Sequence, residues 1–146
     1  CKMQVLLKNV FMIKPGKRSD CPVSTSLDIW GDKWSLLIIR DLMFAKECTH
    51  GDFLKAPEGI ATNILASRLQ VLEESRIIEK LDHPESRAKV LYRLTRKGID
   101  LLPVMIEINL WAEKYFPIPA DRKAMLKEVK KDKAAFIKSM TKELAR

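Results

Sequence analysis

The chain lacks any long apolar run, because no stretch of 18 uncharged apolar residues occurs among its 146 residues. A membrane-spanning helix needs about 20 such residues, so no membrane span is expected. The apolar run at residues 5–13 is broken by polar residues, and no secretory signal is expected either. Cysteine is scarce: three residues, at positions 1, 21 and 48, without C-x-x-C spacing. This argues against a disulfide framework and a zinc cage, and it fits a reducing cytoplasm.

Signatures of catalysis are also missing. The sequence has no phosphate-cradling glycine loop, no G-x-S-x-G and no H-E-x-x-H. His50 and His83 are far apart in the sequence, each beside a predicted turn, so solvent-facing side chains are favoured over ligands. We therefore expect a protein that is not an enzyme and needs no cofactor or metal.

Positive charge lies at the two ends of the chain. The net charge of +8 divides into +5 for residues 1–18, −2 for residues 19–117 and +5 for residues 118–146. Residues 76–97 depart from the acidic middle segment, with seven basic and three acidic side chains. This local excess would neutralise backbone phosphates of a nucleic acid.

The most informative segment spans residues 60–97. Its first half has helical spacing, with one apolar face and an opposite face of groups that can hydrogen-bond base edges. The apolar face comprises Ile60, Ile64, Leu65, Leu69 and Leu72, and the polar face Thr62, Asn63, Ser67, Arg68 and Gln70. The second half alternates branched and aromatic residues around a polar turn at residues 82–87, which predicts a β-hairpin.

A shorter helix is predicted just before this segment, over residues 53–56. Thr49 and Asp52 form a capping-box pattern, and Gly59 lies in the turn before the next helix. Two helices joined by a short glycine-containing turn predict a helix-turn-helix, and the attached hairpin would be its wing.

Helices flank this unit on both sides. Pro22 opens a short helix that stops at Gly31, and Asp32 would cap the next one, over residues 33–44. The pattern of residues 97–116 predicts one long helix, kinked at Pro103. Its surface is apolar nearly all round, which indicates that a second subunit covers part of it. Residues 118–146 form a basic helical extension. Wrapping of a partner subunit is favoured for it over contact with DNA flanks or an acidic membrane.

The fold class predicted is therefore mainly α with a small β-hairpin, a winged helix-turn-helix. Three segments are expected: a basic arm at 1–20, the winged domain with its dimerisation helix at 21–117, and the basic extension at 118–146.

Four short motifs occur around the predicted helix-turn-helix: Cys21-Pro22-Val23, Gly31-Asp32-Lys33-Trp34, Tyr92-Arg93-Leu94-Thr95 and Leu102-Pro103-Val104. The second and third are fairly specific at this separation. On these motifs, the chain resembles the HxlR-type family of winged helix-turn-helix transcription regulators, from Cys21 to about Phe116.

This resemblance implies N- and C-terminal dimerisation helices, namely the N-terminal helix and the long helix after the wing. It also implies that the resulting homodimer binds an inverted repeat of double-stranded DNA. Its DNA-contacting residues would be Thr62, Asn63, Ser67 and Arg68 in the major groove, and Arg87 and Lys89 on the wing. Ala61 departs from the hydroxyl or amide common before the recognition helix, so Thr62 is an alternative cap.

Several family members resemble redox or electrophile sensors that use the cysteine at the position of Cys21. A thiol at a helix N-terminus can be activated by the helix dipole. The alternative is that Cys21 is a small buried hydrophobe at the dimer seam. A winged-helix module that binds protein instead of DNA is the alternative function, favoured by the net charge of −2 in residues 19–117.

Overall fold

The computed structural model describes residues 18–146, so nearly all of the predicted basic arm lies outside the described residues. The described part forms eight helices and three strands. In chain order they are α1 (Pro22–Trp30), α2 (Ser35–Ala45), β1 (Glu47–Thr49), α3 (His50–Leu54), α4 (Thr62–Glu74), β2 (Ile78–His83), β3 (Ser86–Leu94), α5 (Arg96–Ile99), α6 (Leu102–Tyr115), α7 (Ala120–Lys131) and α8 (Lys133–Leu144). The predicted fold class is confirmed.

The three strands form one antiparallel sheet in the order β1-β3-β2. The predicted hairpin is present, with Ile78 opposite Leu94 and Leu81 opposite Leu91. Its turn is tighter than expected, because the strands extend to His83 and Ser86. Strand β1 was not predicted, since three residues are too few to show an alternating pattern.

The first two helices follow the sequence pattern. Pro22, which has no backbone N–H to leave unpaired, lies in the first turn of α1. Helix α2 begins at Ser35, two residues later than predicted, and Asp32 serves its N-terminus as expected. One carboxylate oxygen of Asp32 accepts hydrogen bonds from the N–H groups of Trp34 and Ser35, each at 3.0 Å.

The helix-turn-helix consists of α3 and α4. The capping box is present, because the Thr49 hydroxyl accepts from the Asp52 N–H while the Asp52 carboxylate accepts from the Thr49 N–H. It starts α3 at His50, so the predicted range of 53–56 was too late. Helix α4 begins at Thr62 instead of residue 60, because the chain is still extended at Ala61.

The single kinked helix predicted for residues 97–116 is wrong: α5 and α6 are separate helices. The Thr95 hydroxyl caps α5 by accepting a hydrogen bond from the Gly98 N–H. Pro103 lies in the first turn of α6, where a missing N–H favours the start of a new helix over continuation of the previous one. Gly98 is needed here, because a Cβ would overlap the carbonyl oxygen of Ile77.

A hydrophobic core joins α2, α4, the sheet and α6, and the C-terminal extension completes it. Leu65, Leu72 and Ile106 are buried in this core, and so is Val129 of α7. Ion pairs from Lys130 to Glu113 and from Lys133 to Glu107 further fasten the extension to α6. Residues 118–146, expected to wrap a partner, thus pack against α6 of their own chain.

Candidate nucleic-acid interface

Helix α4 has a buried and an exposed face. Leu65, Leu69 and Leu72 are buried, as predicted, and Asn63 and Ser67 are exposed on the opposite side. Gln70 continues this exposed row one turn further and donates to Glu74 at 3.1 Å. Residues spaced by three and four share one side of a helix, so the amide and hydroxyl groups form a single polar stripe.

Two details of α4 differ from the sequence interpretation. Ala61 is the N-cap and supplies no side-chain hydrogen bond, so Thr62 is the first helical residue and not the cap. Its hydroxyl is therefore not used in capping and lies on the surface. Ile64, placed on the apolar face by its spacing, is 36% exposed instead of buried.

Arg68 occupies a different position from the other predicted DNA-contacting residues. It is three residues after Leu65 and four before Leu72, which places it beside the buried face. Its side chain is 33% exposed, and its Nη1 lies 3.7 Å from Oδ1 of Asp32. Arg68 is therefore held at the flank of α4 and not on the polar stripe.

Asp32 is a fixed charge at this contact. Besides its two backbone N–H donors, it accepts a hydrogen bond from the hydroxyl of Ser35, a completely buried residue. Burial opposes ionisation of Asp32, but the Ser35 hydroxyl, the two N–H groups and Arg68 together hold its pKa below the ordinary value. The carboxylate thus stays charged at neutral pH.

The wing carries the other two predicted contacts. Arg87 and Lys89 are exposed and stand two residues apart on β3, so they point to the same face of the hairpin. The ion pairs of the hairpin lie nearer its base, between Arg93 and Glu79 and between Lys80 and Glu73. Arg87 and Lys89 form no ion pair among the described residues, although the exposed acidic side chains of Asp82 and Glu85 lie at the same end of the wing.

A groove of about 510 Å³ separates the wing from the N-terminus of α3. Lys55 and Lys89 lie on it from opposite sides, with His50 beside them. Sequence reasoning missed Lys55 and treated His50 only as a surface residue. The signal available was that Lys55 directly follows α3, in the turn of the helix-turn-helix, where a basic side chain could approach phosphates.

Helix α6 presents a second surface, of opposite chemistry. Its outer side forms a shallow apolar depression of about 780 Å³, lined by Pro103, Val104, Glu107, Ile108 and Trp111. Trp111 is 59% exposed, and its ring lies 5.4 Å from that of Tyr115 and 5.8 Å from that of Phe116. Val23 and Leu27 of α1 are exposed as well.

The two described cysteines have different environments. Cys48 is 3% exposed, and burial, reinforced by Asp41 and Asp52, raises the pKa of its thiol to about 12. Its thiol therefore stays protonated and unreactive. Cys21 is half-buried at the N-cap of α1.

Within residues 18–146, no cluster of three or more histidine, cysteine or acidic side chains is arranged to hold a metal ion. No helix of this part is long and apolar enough to cross a membrane.

Comparison with known proteins agrees with this geometry. The HxlR-like helix-turn-helix family model matches residues 29–119, more than half of the chain. The HTH-type transcriptional regulator sll1512 of Synechocystis sp. is 36% identical over 89 residues, which cover 61% of this chain and 65% of that relative. The match therefore spans just under two thirds of the relative's length.

Solved structures show the same fold. PA1607 superposes with a TM-score of 0.62 at 42% identity, over 71% of each chain. The transcriptional regulator YodB of Bacillus subtilis in its reduced form gives a TM-score of 0.56 at 33% identity, over 65% of this chain and 93% of that one. YodB was also solved in a quinone-bound form, with a TM-score of 0.55 at 30% identity, over 65% of this chain and 99% of that one. The winged helix-turn-helix and the extent of the family match lead to one conclusion: the chain belongs to the HxlR-like helix-turn-helix family of transcription regulators.

Proposed function

We propose that this protein is a dimeric, sequence-specific transcription regulator that binds an inverted repeat of double-stranded DNA. The observation that carries the proposal is the exposed polar stripe of α4 beside a wing with two exposed cations, Arg87 and Lys89. A polar helix surface of this kind fits the major groove, where base edges present donors and acceptors.

The two parts of this surface have separate tasks. Arg87, Lys89 and Lys55 neutralise phosphates and supply affinity that depends little on sequence. Asn63 supplies sequence choice, since its amide can pair with the two exposed groups of an adenine, and the hydroxyls of Thr62 and Ser67 add contacts to base edges.

The apolar side of α6 supports dimerisation. Exposed large hydrophobic side chains grouped on one surface favour association with another protein. A second copy of the chain is the partner proposed, with α1 contributing Val23 and Leu27. Two-fold pairing would present two α4 helices about 34 Å apart, one turn of B-form DNA.

Selection of DNA from a random pool by the purified protein tests binding, symmetry and spacing together. We expect an inverted repeat whose half-sites are centred one helical turn apart. The double variant Asn63→Ala, Ser67→Ala should lose this selection while it still binds random duplex weakly. Selection of a single asymmetric site, or of no sequence, would contradict the proposal.

The alternative is a winged-helix module that binds another protein and not DNA. The net charge of −2 in residues 19–117 favours it. Affinity for random duplex at low salt separates the two, because a regulator binds through its phosphate contacts whatever the sequence. Complete absence of binding at low salt would favour the interaction module.

A redox or electrophile response through Cys21 is a further part of the proposal. Its support is the half-buried position of Cys21 at a helix N-terminus and the resemblance to YodB, which was solved in reduced and quinone-bound forms. In a Cys1→Ser background, a quinone should weaken DNA binding and Cys21→Ser should abolish this effect. Cys48→Ser is the matched control and should leave the response intact, because the Cys48 thiol is buried and protonated. A full response in Cys21→Ser would discard the sensor and leave Cys21 as a packing residue.

A further inference from the structure

The contact between Asp32 and Arg68 links two parts of the molecule that the sequence separates. Asp32 lies in the corner between α1 and α2, and Arg68 lies in the middle of α4. The carboxylate is locked onto the N-terminus of α2 by two N–H groups and a hydroxyl. It therefore gives Arg68 a rigid anchor.

The position of Arg68 does not suit direct base reading. Asn63, Ser67 and Gln70 define the centre of the exposed stripe, whereas Arg68 is at the boundary with the buried leucines. Two thirds of its side chain is covered, and the 3.7 Å separation from Asp32 is too long for a hydrogen bond but short enough for strong charge attraction. Reaching from this flank to a base would require Arg68 to leave Asp32.

The pair also neutralises a carboxylate near the proposed DNA surface. Asp32 is 25% exposed beside α4, where an unpaired negative charge would repel phosphates. Arg68 cancels this charge, and Asp32 in turn keeps Arg68 from making phosphate contacts that ignore sequence. The proposed effect of each residue on DNA binding therefore depends on the opposite charge of the other.

We propose that Asp32 and Arg68 form a positioning pair, which fixes α4 against the α1–α2 corner so that Asn63 and Ser67 read the bases and Arg68 does not. The proposal rests on the DNA-binding function proposed above and assigns to Asp32 a part in specificity.

Amide substitutions test the pair without removing the helix cap. Asp32→Asn keeps an oxygen that accepts the N–H groups of α2, because asparagine caps helices as well as aspartate does, but it removes the charge. Arg68→Gln removes the opposite charge. Asp100→Asn, which breaks the exposed pair of Asp100 with Arg96 outside α4, is the matched control.

The measurement is the ratio of affinities for the selected operator and for random duplex, together with the base preference at each operator position. Each single variant should lower the ratio about fivefold, the lower end of typical coupling between sites. The double variant should match either single variant, the preferred bases should stay the same, and melting temperature should hardly change because the cap remains. Asp100→Asn should keep the wild-type ratio.

Two results would overturn the positioning pair. One is loss of preference at a single base pair in Arg68→Gln but not in Asp32→Asn, which would make Arg68 a reader. The other is a double variant whose defect is the product of the two single defects, which would make the residues independent.

A measurement that needs no DNA distinguishes failure of the positioning pair from failure of the proposed DNA-binding function. Arg68→Gln should raise the pKa of Asp32 measured by NMR, because a positive neighbour is removed. A raised pKa together with no duplex binding by the wild-type chain would refute DNA recognition, and with it the role of the pair, while showing that the contact exists. An unchanged pKa would refute the contact itself.

Discussion

Helices α4 and α6 bury one face each in the same hydrophobic core, yet their outer faces differ completely. Helix α4 exposes Asn63 and Ser67, whereas α6 exposes Ile108 and Trp111. Exposed amides and hydroxyls are satisfied by water until a partner replaces it, but a group of exposed apolar side chains favours permanent cover. Packing in the core thus positions each helix, and the exposed side chains of that helix determine which partners it can contact.

Charge separates the two helices in the same way. The wing beside α4 carries exposed Arg87 and Lys89, whereas the two glutamates of α6 pair within the chain, Glu107 with Lys133 and Glu113 with Lys130. A surface that meets phosphates needs free cations, and a surface that meets protein tolerates charges that are already paired. The comparison therefore supports the proposal that one side binds nucleic acid and the other binds a second copy of the chain.

The largest effect is expected for Trp111→Glu, which places a carboxylate in the exposed apolar side of α6. Buried tryptophans at interfaces often contribute about 2 kcal/mol or more, so the dimer dissociation constant should rise at least about 30-fold. The fold should persist, because Trp111 is largely exposed in the single chain. Sedimentation equilibrium measures the change, and Lys138→Glu, at an exposed lysine on α8, is the control. Equal self-association of Trp111→Glu and wild type would remove α6 from the interface.

The next effect concerns the outer face of α4. Asn63→Ala should weaken binding to the selected operator by about 1–3 kcal/mol, because a paired base edge is left unread. Affinity for random duplex should hardly change, and stability should remain within about 0.5 kcal/mol, since the residue is exposed.

Ser67→Ala should act in the same direction but less strongly, and Ser139→Ala, an exposed serine on α8, is its matched control. Competition binding measures these differences. Identical operator affinities for Ser67→Ala, Asn63→Ala and wild type would show that the polar stripe does not read DNA.

A smaller effect is expected on the wing. Lys89→Ala should reduce the slope of log affinity against log salt concentration by about 0.9, the value for one phosphate contact on duplex DNA. The reduction should be the same for operator and random duplex, because a phosphate contact carries no sequence information. Lys142→Ala on α8 should leave the slope unchanged. An equal slope for Lys89→Ala and wild type would place the wing away from the phosphates.

Much of this architecture was accessible from sequence because it depends on local patterns. Leucines at helical spacing fixed the buried face of α4, and the alternation around His83 and Pro84 defined the wing. Element boundaries were less accessible, since they depend on single residues. Pro103 could have kinked a helix or started one, and the structure shows that α5 ends at Ile99 and α6 begins at Leu102.

The candidate site illustrates the same limit. The exposed positions of Asn63 and Ser67 follow from the helical period, and the shared face of Arg87 and Lys89 follows from the two-residue period of a strand. Thr62, three residues before Leu65, is exposed because it lies at the start of α4. The contact of Arg68 with Asp32 could not be predicted, because 35 residues separate them and an arginine at the edge of an apolar face can point either way. Lys55 escaped notice because its proximity to Lys89 comes from the pairing of β1 with β3.

The smallest expected effect separates stability from recognition at the junction of α4 and the wing. Arg76 has a φ of 60°, in the left-handed region that costs a non-glycine residue about 1–2 kcal/mol. Arg76→Gly relieves this strain but adds freedom to the unfolded chain worth about 0.5–1 kcal/mol, so a net stabilisation of about 0.5–1 kcal/mol is expected. Urea unfolding measures it. Arg76→Ala removes the same charge but keeps the strain, and it should not stabilise the protein.

Both variants should bind operator as wild type does if phosphate contacts lie at the wing end. An equal loss of operator affinity in both variants would show that the cationic surface in contact with DNA includes Arg76 at the base of the wing.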